Sequence, residues 1–324
     1  MARMGAEKKH PHDRFFKVLM GYALAVKALL RERLPKELAA QLSDRVARLV
    51  DGSFVDGGLG EHLADRLFEA RTKASEAFFC LLEHKSAPDR SVALQFLEYV
   101  TYAWKRSASG GKDDRLPPII PVVVYHGVVP WNVPSMFSQL VRETPRLGVK
   151  PVDFQMVVVD VGAIDDGALS ADPTLHAGLM ALKYATRESR QRGKLGAVLA
   201  ALKQAPWLVP TGLTYILATY RRVDRATVLK EVRRVMPEYE EEMLSMAARE
   251  WMAEGMAKGV AQGVAKGVAE GRAKALLVVL KERFGSVARE TRSRVKAASA
   301  QEVDRWLKRA LSATSVDRVF GPRH

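Results

Sequence analysis

The chain is predicted to be an α/β protein: a mixed sheet flanked by helices comes first, and helical C-terminal regions follow. Three observations carry this expectation. Helical and strand-like periods alternate over residues 1–165, the pattern of a layered α/β core. Within that stretch, residues 77–84 are apolar on both faces and 119–125 are short, apolar and β-branched, as buried strands are. From Asp166 to about Met256 the pattern turns helical.

Taken in order, Asp13 is placed to cap a helix over residues 14–33, with Phe16, Leu19, Met20, Ala23 and Val26 near one face and Pro35 interrupting it. Ser43 is placed to cap a second helix reaching Val50, and the glycines between Asp51 and Gly60 make a loop. Residues 63–70 and 77–84 read as strands, the second a central one. Residues 91–105 read as a helix with Val92, Phe96, Tyr99 and Val100 in phase. Gly110-Gly111 opens a loop, and residues 119–125 and 154–161 are two further strands. Residues 274–320 read as helical, broken at Gly285 and around 312–315. The expected division is a sheet domain over 1–165, a helical extension over 166–252, a repeat helix over 253–273 and a small helical domain over 274–324.

Composition narrows the function. The 324 residues carry a formal charge of +14 and a pI near 9.9, a balance that attracts polyanions, DNA foremost. A single cysteine, Cys80, excludes an internal disulfide and a cysteine-built zinc site. Residues 1–14 lack the apolar core of a signal peptide, and no apolar run approaches the roughly 20 residues that span a bilayer. A cytoplasmic protein without a membrane partner is expected.

Gly255, Gly259, Gly263, Gly267 and Gly271 recur every four residues, with alanines at 257, 261, 265, 269 and 273. On a helix this row drifts by about 40° per step and makes a slowly winding stripe without side chains. Five helical glycines cost roughly 4–5 kcal/mol relative to alanine. Either another helix packs against the stripe, which points to a homo-oligomer or a docking helix, or the segment is a flexible connector.

The chemistry-bearing residues are Asp65, Glu83 and Lys85. Residues i and i+2 on a strand share a face, so Glu83 and Lys85 project together from the end of a buried strand, and Asp65 joins them if the two strands pair. Two carboxylates and an ammonium suit phosphodiester hydrolysis: the carboxylates hold Mg²⁺, and the lysine orients water or stabilises charge on the phosphate. The plainer reading of Glu83 and Lys85 is a solvated pair at a strand end.

Four segments carry a resemblance. His12-Asp13-Arg14-Phe15-Phe16-Lys17 resembles a D-x-x-F-K signature, and Leu82-Glu83-His84-Lys85-Ser86 resembles I-E-H-(Q/K)-S. Asp65 takes the place of a strand aspartate, here preceded by Ala64 rather than proline. The run from Leu116 to Gly127, followed by Trp131, is similar to L-P-x-I-I-P-x-V-x-Y-x-G…W. These are the motifs of the Rpn family of recombination-promoting nucleases and transposase-like proteins. Many members carry glutamine at the position of Lys85. Leu280 to Gly285 and Val303 to Trp306 further resemble a small helical domain often appended to such proteins.

The resemblance implies a restriction-endonuclease-like fold of the PD-(D/E)xK class. It implies a Mg²⁺-dependent DNA endonuclease, with Mn²⁺ or Ca²⁺ as substitutes, that supports recombination or transposition. Asp65, Glu83 and Lys85 would be catalytic, and Asp65, Glu83 and Asp13 would hold the metal. Lys17 and Gln95 are candidates for contact with nucleic acid, Gln95 also for support of Lys85, and Tyr99 for helix packing. His10 and His12 are read as part of a mobile basic terminus. The alternatives are a DNA-binding protein that does not cut, and an assembly protein on a nuclease-like scaffold.

Overall fold

The computed structural model describes residues 11–50, 66–108, 115–142 and 152–321. The chain divides into two compact units, Met1–Leu244 and Ser245–His324.

The first unit opens with α1 (Pro11–Leu19) and α2 (Ala23–Arg33). The single helix expected over 14–33 is two helices. At the break, the Gly21 amide donates to Val18 O and the Tyr22 amide to Leu19 O, i→i−3 bonds that close the helix into a turn. Asp13 lies inside the first turn of α1 rather than capping it, and its carboxylate takes Lys17 one turn on.

After Pro35 comes the short α3 (Lys36–Gln41). The helix expected from Ser43 to Val50 does not form. Arg48 and Leu49 instead make β1, paired with Glu69 and Phe68, and the Ser43 amide donates to Arg71 O. A sheet edge offers this segment its backbone hydrogen bonds, and tertiary pairing overrides the local helical pattern. The glycine loop of 51–60 and the start of the expected strand at 63–65 lie outside the described residues; that strand is seen as β2 (Arg66–Arg71).

β3 (Ala77–Lys85) returns antiparallel to β2. The chain then crosses through α4 (Val92–Ala108) to β4 (Ile119–Tyr125), parallel to β3, and β5 (Val157–Asp160) adds parallel to β4. The sheet order is β1-β2-β3-β4-β5, a mixed sheet of the expected class.

Alternation along β3 assigns its side chains to two cores. Leu81 joins Val123 and Tyr125 of β4 beneath Val92, Phe96 and Val100 of α4. Phe78, Cys80 and Leu82 face the other way, in register with Ala70, Phe68 and Val122 and buried with them. Burial pushes the Cys80 thiol up to about 12, which leaves it an inert core group.

The helical remainder of this unit is α5 (Pro173–Ala185), α6 (Gln191–Lys203), α7 (Val209–Thr219) and α8 (Arg225–Val235). Asp172 caps α5 through the Leu175 amide, and Pro173 occupies its first turn. α5 is buried along most of its length. Gly178 admits α1 at close range, since a Cβ there would meet the Leu19 side chain at 2.4 Å.

The second unit consists of most of α9 (Glu240–Phe284) with α10 (Arg289–Ala297), α11 (Ala300–Ala310) and α12 (Val316–Phe320). Three glutamates open α9, and Lys281 and Arg283 close it, each matching the sign of the helix dipole. Gly285, at φ +81°, ends it in the left-handed conformation that glycine adopts without strain. Leu276, Leu280, Val295, Val303, Trp306 and Val319 bury one another in a core of their own. Ser299 and Glu302 form a reciprocal capping box at the start of α11.

Candidate active site at the end of strand β3

Glu83 and Lys85 occupy the last turn of the pleat in β3, opposite Val123 and Tyr125 and therefore on the α4 side of the sheet. Their charged ends lie 3.2 Å apart, with side chains 12% and 16% exposed. The Lys85 ammonium also donates to Gln95 Oε1 at 2.9 Å and pairs with Asp89 Oδ2 at 3.0 Å. Asp89 is fixed in turn by the Ser91 amide and hydroxyl at 2.8 and 2.6 Å, just before α4 begins. Burial works against the charge on Lys85, but Glu83 and Asp89 outweigh it and raise its pKa. Lys85 is therefore an ammonium at neutral pH.

Of the residues singled out from sequence, the fold brings Glu83, Lys85 and Gln95 together. Asp13 and Lys17 form an ion pair of their own at 3.1 Å, both about two-fifths exposed. Tyr99 packs against the α4 core. Asp65 lies outside the described residues. Among the described residues, no three His, Cys, Asp or Glu side chains gather closely enough to hold a metal ion.

Sequence reasoning missed two features. One is Asp89, whose signal was the Asp-x-Ser turn directly ahead of a helix, four residues beyond Lys85. The other is a buried histidine cluster on the opposite face. His84, between Glu83 and Lys85, points away from both. Its ring stacks on Phe16 of α1 at 5.1 Å and on His126 at 4.8 Å.

His126 Nδ1 donates to Leu182 O of α5 at 3.0 Å, which leaves its Nε2 to accept from His84 Nε2 at 2.8 Å. His12 sits 5.1 Å from the His126 ring, and its Nδ1 lies 2.6 Å from the Tyr215 hydroxyl of α7. It belongs to a packed helix, not to a mobile terminus; His10 lies outside the described residues.

Burial and the neighbouring His12, Lys85 and Lys17 push His84 down to about 3, and burial holds His126 well below its ordinary value. His84 and His126 are therefore neutral at physiological pH, and the cluster joins α1, α5 and α7 to the sheet. The glycine of the Tyr-x-Gly after β4 is required by close packing: a Cβ on Gly127 would meet Tyr125 Oη at 2.2 Å and Ser86 O at 2.5 Å. Arg187 then clamps the turn through His126 O and Gly127 O at 3.0 and 2.8 Å.

The class of protein that emerges is a mixed α/β protein with a lysine–carboxylate centre at the C-terminal end of a parallel strand pair. The family model described as "Putative transposase, YhgA-like" matches residues 10–206, and the chain belongs to that family. It is similar to the Recombination-promoting nuclease RpnA of Escherichia coli strain K12, 24% identical over 74% of this chain and 82% of the relative. The Recombination-promoting nuclease RpnD of E. coli O157:H7 is also 24% identical, over 74% of this chain and 93% of its own. An Inactive recombination-promoting nuclease-like protein, RpnE of strain K12, is 25% identical over 58% of this chain and 62% of its own. No solved structure matches the chain.

Proposed function

We propose that this protein is a metal-dependent DNA endonuclease of the PD-(D/E)xK class that promotes recombination or transposition by hydrolysing phosphodiester bonds. The observation that carries this reading is the sheltered pair of Glu83 and Lys85, 3.2 Å apart at the end of β3. The nuclease names of the RpnA and RpnD relatives support it independently.

Carboxylate oxygens are the hard donors that Mg²⁺ takes, and Mn²⁺ and Ca²⁺ accept the same set. Glu83 would hold the ion together with Asp65 and Asp13. When bound, it would lower the pKa of a water molecule and offset charge developing on the phosphate.

The rest falls to the chain's own groups. Lys85 keeps its proton, so it serves as a donor to a phosphate oxygen or to the attacking water rather than as a base. Gln95 and Asp89 hold that ammonium at the strand end, where a freely rotating lysine would lose orientation. Lys17 is the candidate for a flanking phosphate contact. The net charge of +14 favours backbone binding that is salt-sensitive and weakly selective for sequence. We further propose that α9 assembles the protein into a homo-oligomer.

The inactive relative favours one other reading, a DNA-binding protein that does not cut. Incubation of supercoiled plasmid with purified protein, in Mg²⁺ or in EDTA, separates the two. Nicking that requires the metal is expected. Asp65→Ala should abolish it, and Lys85→Met should slow it by about 10²–10³-fold. Plasmid retained on the protein but uncut in every metal would establish the binder instead.

A further inference from the structure

A second polar site lies at the far end of the same sheet, about 26 Å along β3 from Lys85 at the usual rise per residue. After α3 the chain runs antiparallel to the end of β2 and the hairpin beyond it. Leu42 bridges Thr72, the Ser43 amide donates to Arg71 O at 2.9 Å, and the Lys73 amide donates to Gln41 O at 2.7 Å. This pairing gathers Ser43, Arg45, Arg71, Thr72, Lys73 and Ser75 around an open cleft of about 510 Å³.

The cleft is a donor-rich surface. Asp44, the one acid lining it, is engaged by Arg31 at 2.8 Å. Arg71 spends one nitrogen on Glu69 and another on Ser75 O, and a guanidinium has five N–H groups to give. Arg45 and Lys73 are exposed and make no ion pair among the described residues. Ser75 holds a left-handed backbone at φ +67°, pinned by its amide to Thr72 O and by Arg71 at its carbonyl. Strain of this sort concentrates where a binding surface is held in shape.

We propose that this cleft binds a phosphate group, with Arg45, Arg71 and Lys73 supplying charge and directed N–H donors. The group is either a backbone phosphate of a nucleic acid or a free phosphorylated molecule; both present the same oxygens. The inference does not depend on cleavage.

The test uses the full chain in EDTA at low ionic strength, titrated with inorganic phosphate by calorimetry. Saturable 1:1 binding is expected. An Arg45→Gln/Lys73→Gln double variant should weaken it by about tenfold or more. No saturable phosphate binding, or binding that the double variant retains, overturns the proposal.

Anisotropy with a labelled DNA duplex under the same conditions then identifies the source. Competition by phosphate together with weaker DNA binding by the double variant assigns the cleft to the nucleic-acid backbone. Unchanged DNA binding assigns it to a free phosphorylated molecule. Because EDTA is present and no cut is scored, failure of the cleavage assay leaves this test standing.

Discussion

Two ion clusters decide the behaviour of individual residues, and they differ in purpose. Lys85 is ringed by two carboxylates and an amide oxygen, so its charge is kept and its direction fixed at the end of β3. Asp166 is the reverse, a partly buried anion flanked by two lysines. It accepts from Lys183 and Lys194 at 2.8 Å each and from the Tyr184 hydroxyl. Burial would raise its pKa, but these partners hold it well below the usual carboxylate range.

Folded Asp166 therefore binds fewer protons than the unfolded chain in acid. Its contribution to stability is complete above the unfolded value near 4 and is lost as pH falls through the folded one. Asp166→Asn should cost about 2–3 kcal/mol at pH 7, since it leaves Lys183 buried without its anion. It should also flatten the acid limb of the stability curve. Urea unfolding at pH 7 and pH 3 checks both, and an unchanged midpoint at pH 7 would show that the cluster is idle.

At the scale of elements, α9 poses the main question. It is a continuous helix through the glycine repeat, and a Cβ added at Gly263, Gly267 or Gly271 would meet nothing within 4 Å. Val260, Val264 and Val268 line up beside the glycines, 63%, 61% and 47% exposed. An apolar row at i, i+4 and i+8 next to a row without side chains is a surface on which a second helix can lie close. Val264→Lys should therefore lower the molecular mass measured by sedimentation equilibrium to that of a monomer while leaving the helix content unchanged. A protein that is already monomeric at tens of micromolar would remove the basis for assembly through α9.

At the scale of the whole molecule, each unit has its own core. The sheet, α4 and the α5–α8 helices close one, and the end of α9 with α10–α12 closes the other. Every described residue assigned to the active centre lies in the first. A chain ending after Leu244 keeps Met243, which is buried, and should still nick plasmid at a rate within a fewfold of the full chain. Loss of nicking by a folded truncation, judged by circular dichroism, would place part of the active machinery in the second unit. No helix among the described residues is long and apolar enough to cross a membrane.

The sequence by itself determined the elements whose signal is local. β3 and β4 were legible because each is a short continuous apolar run, β-branched in β4, and the end of α9 because Gly285 has a conformation that other residues avoid. The shared face of Glu83 and Lys85 followed from the period of two alone. Tertiary structure decided what depends on partners distant in the chain. Residues 43–50 looked helical and became a sheet edge because β2 supplied their hydrogen bonds. In the sequence His12 reads as part of a mobile basic terminus and His84 and His126 fall in separate motifs, and only packing α1 and α5 on one face of the sheet made them a buried cluster. Asp89 and the cleft of Arg45, Arg71 and Lys73 stayed hidden for the same reason: electrostatic partnership depends on separation in space, which a linear order does not encode.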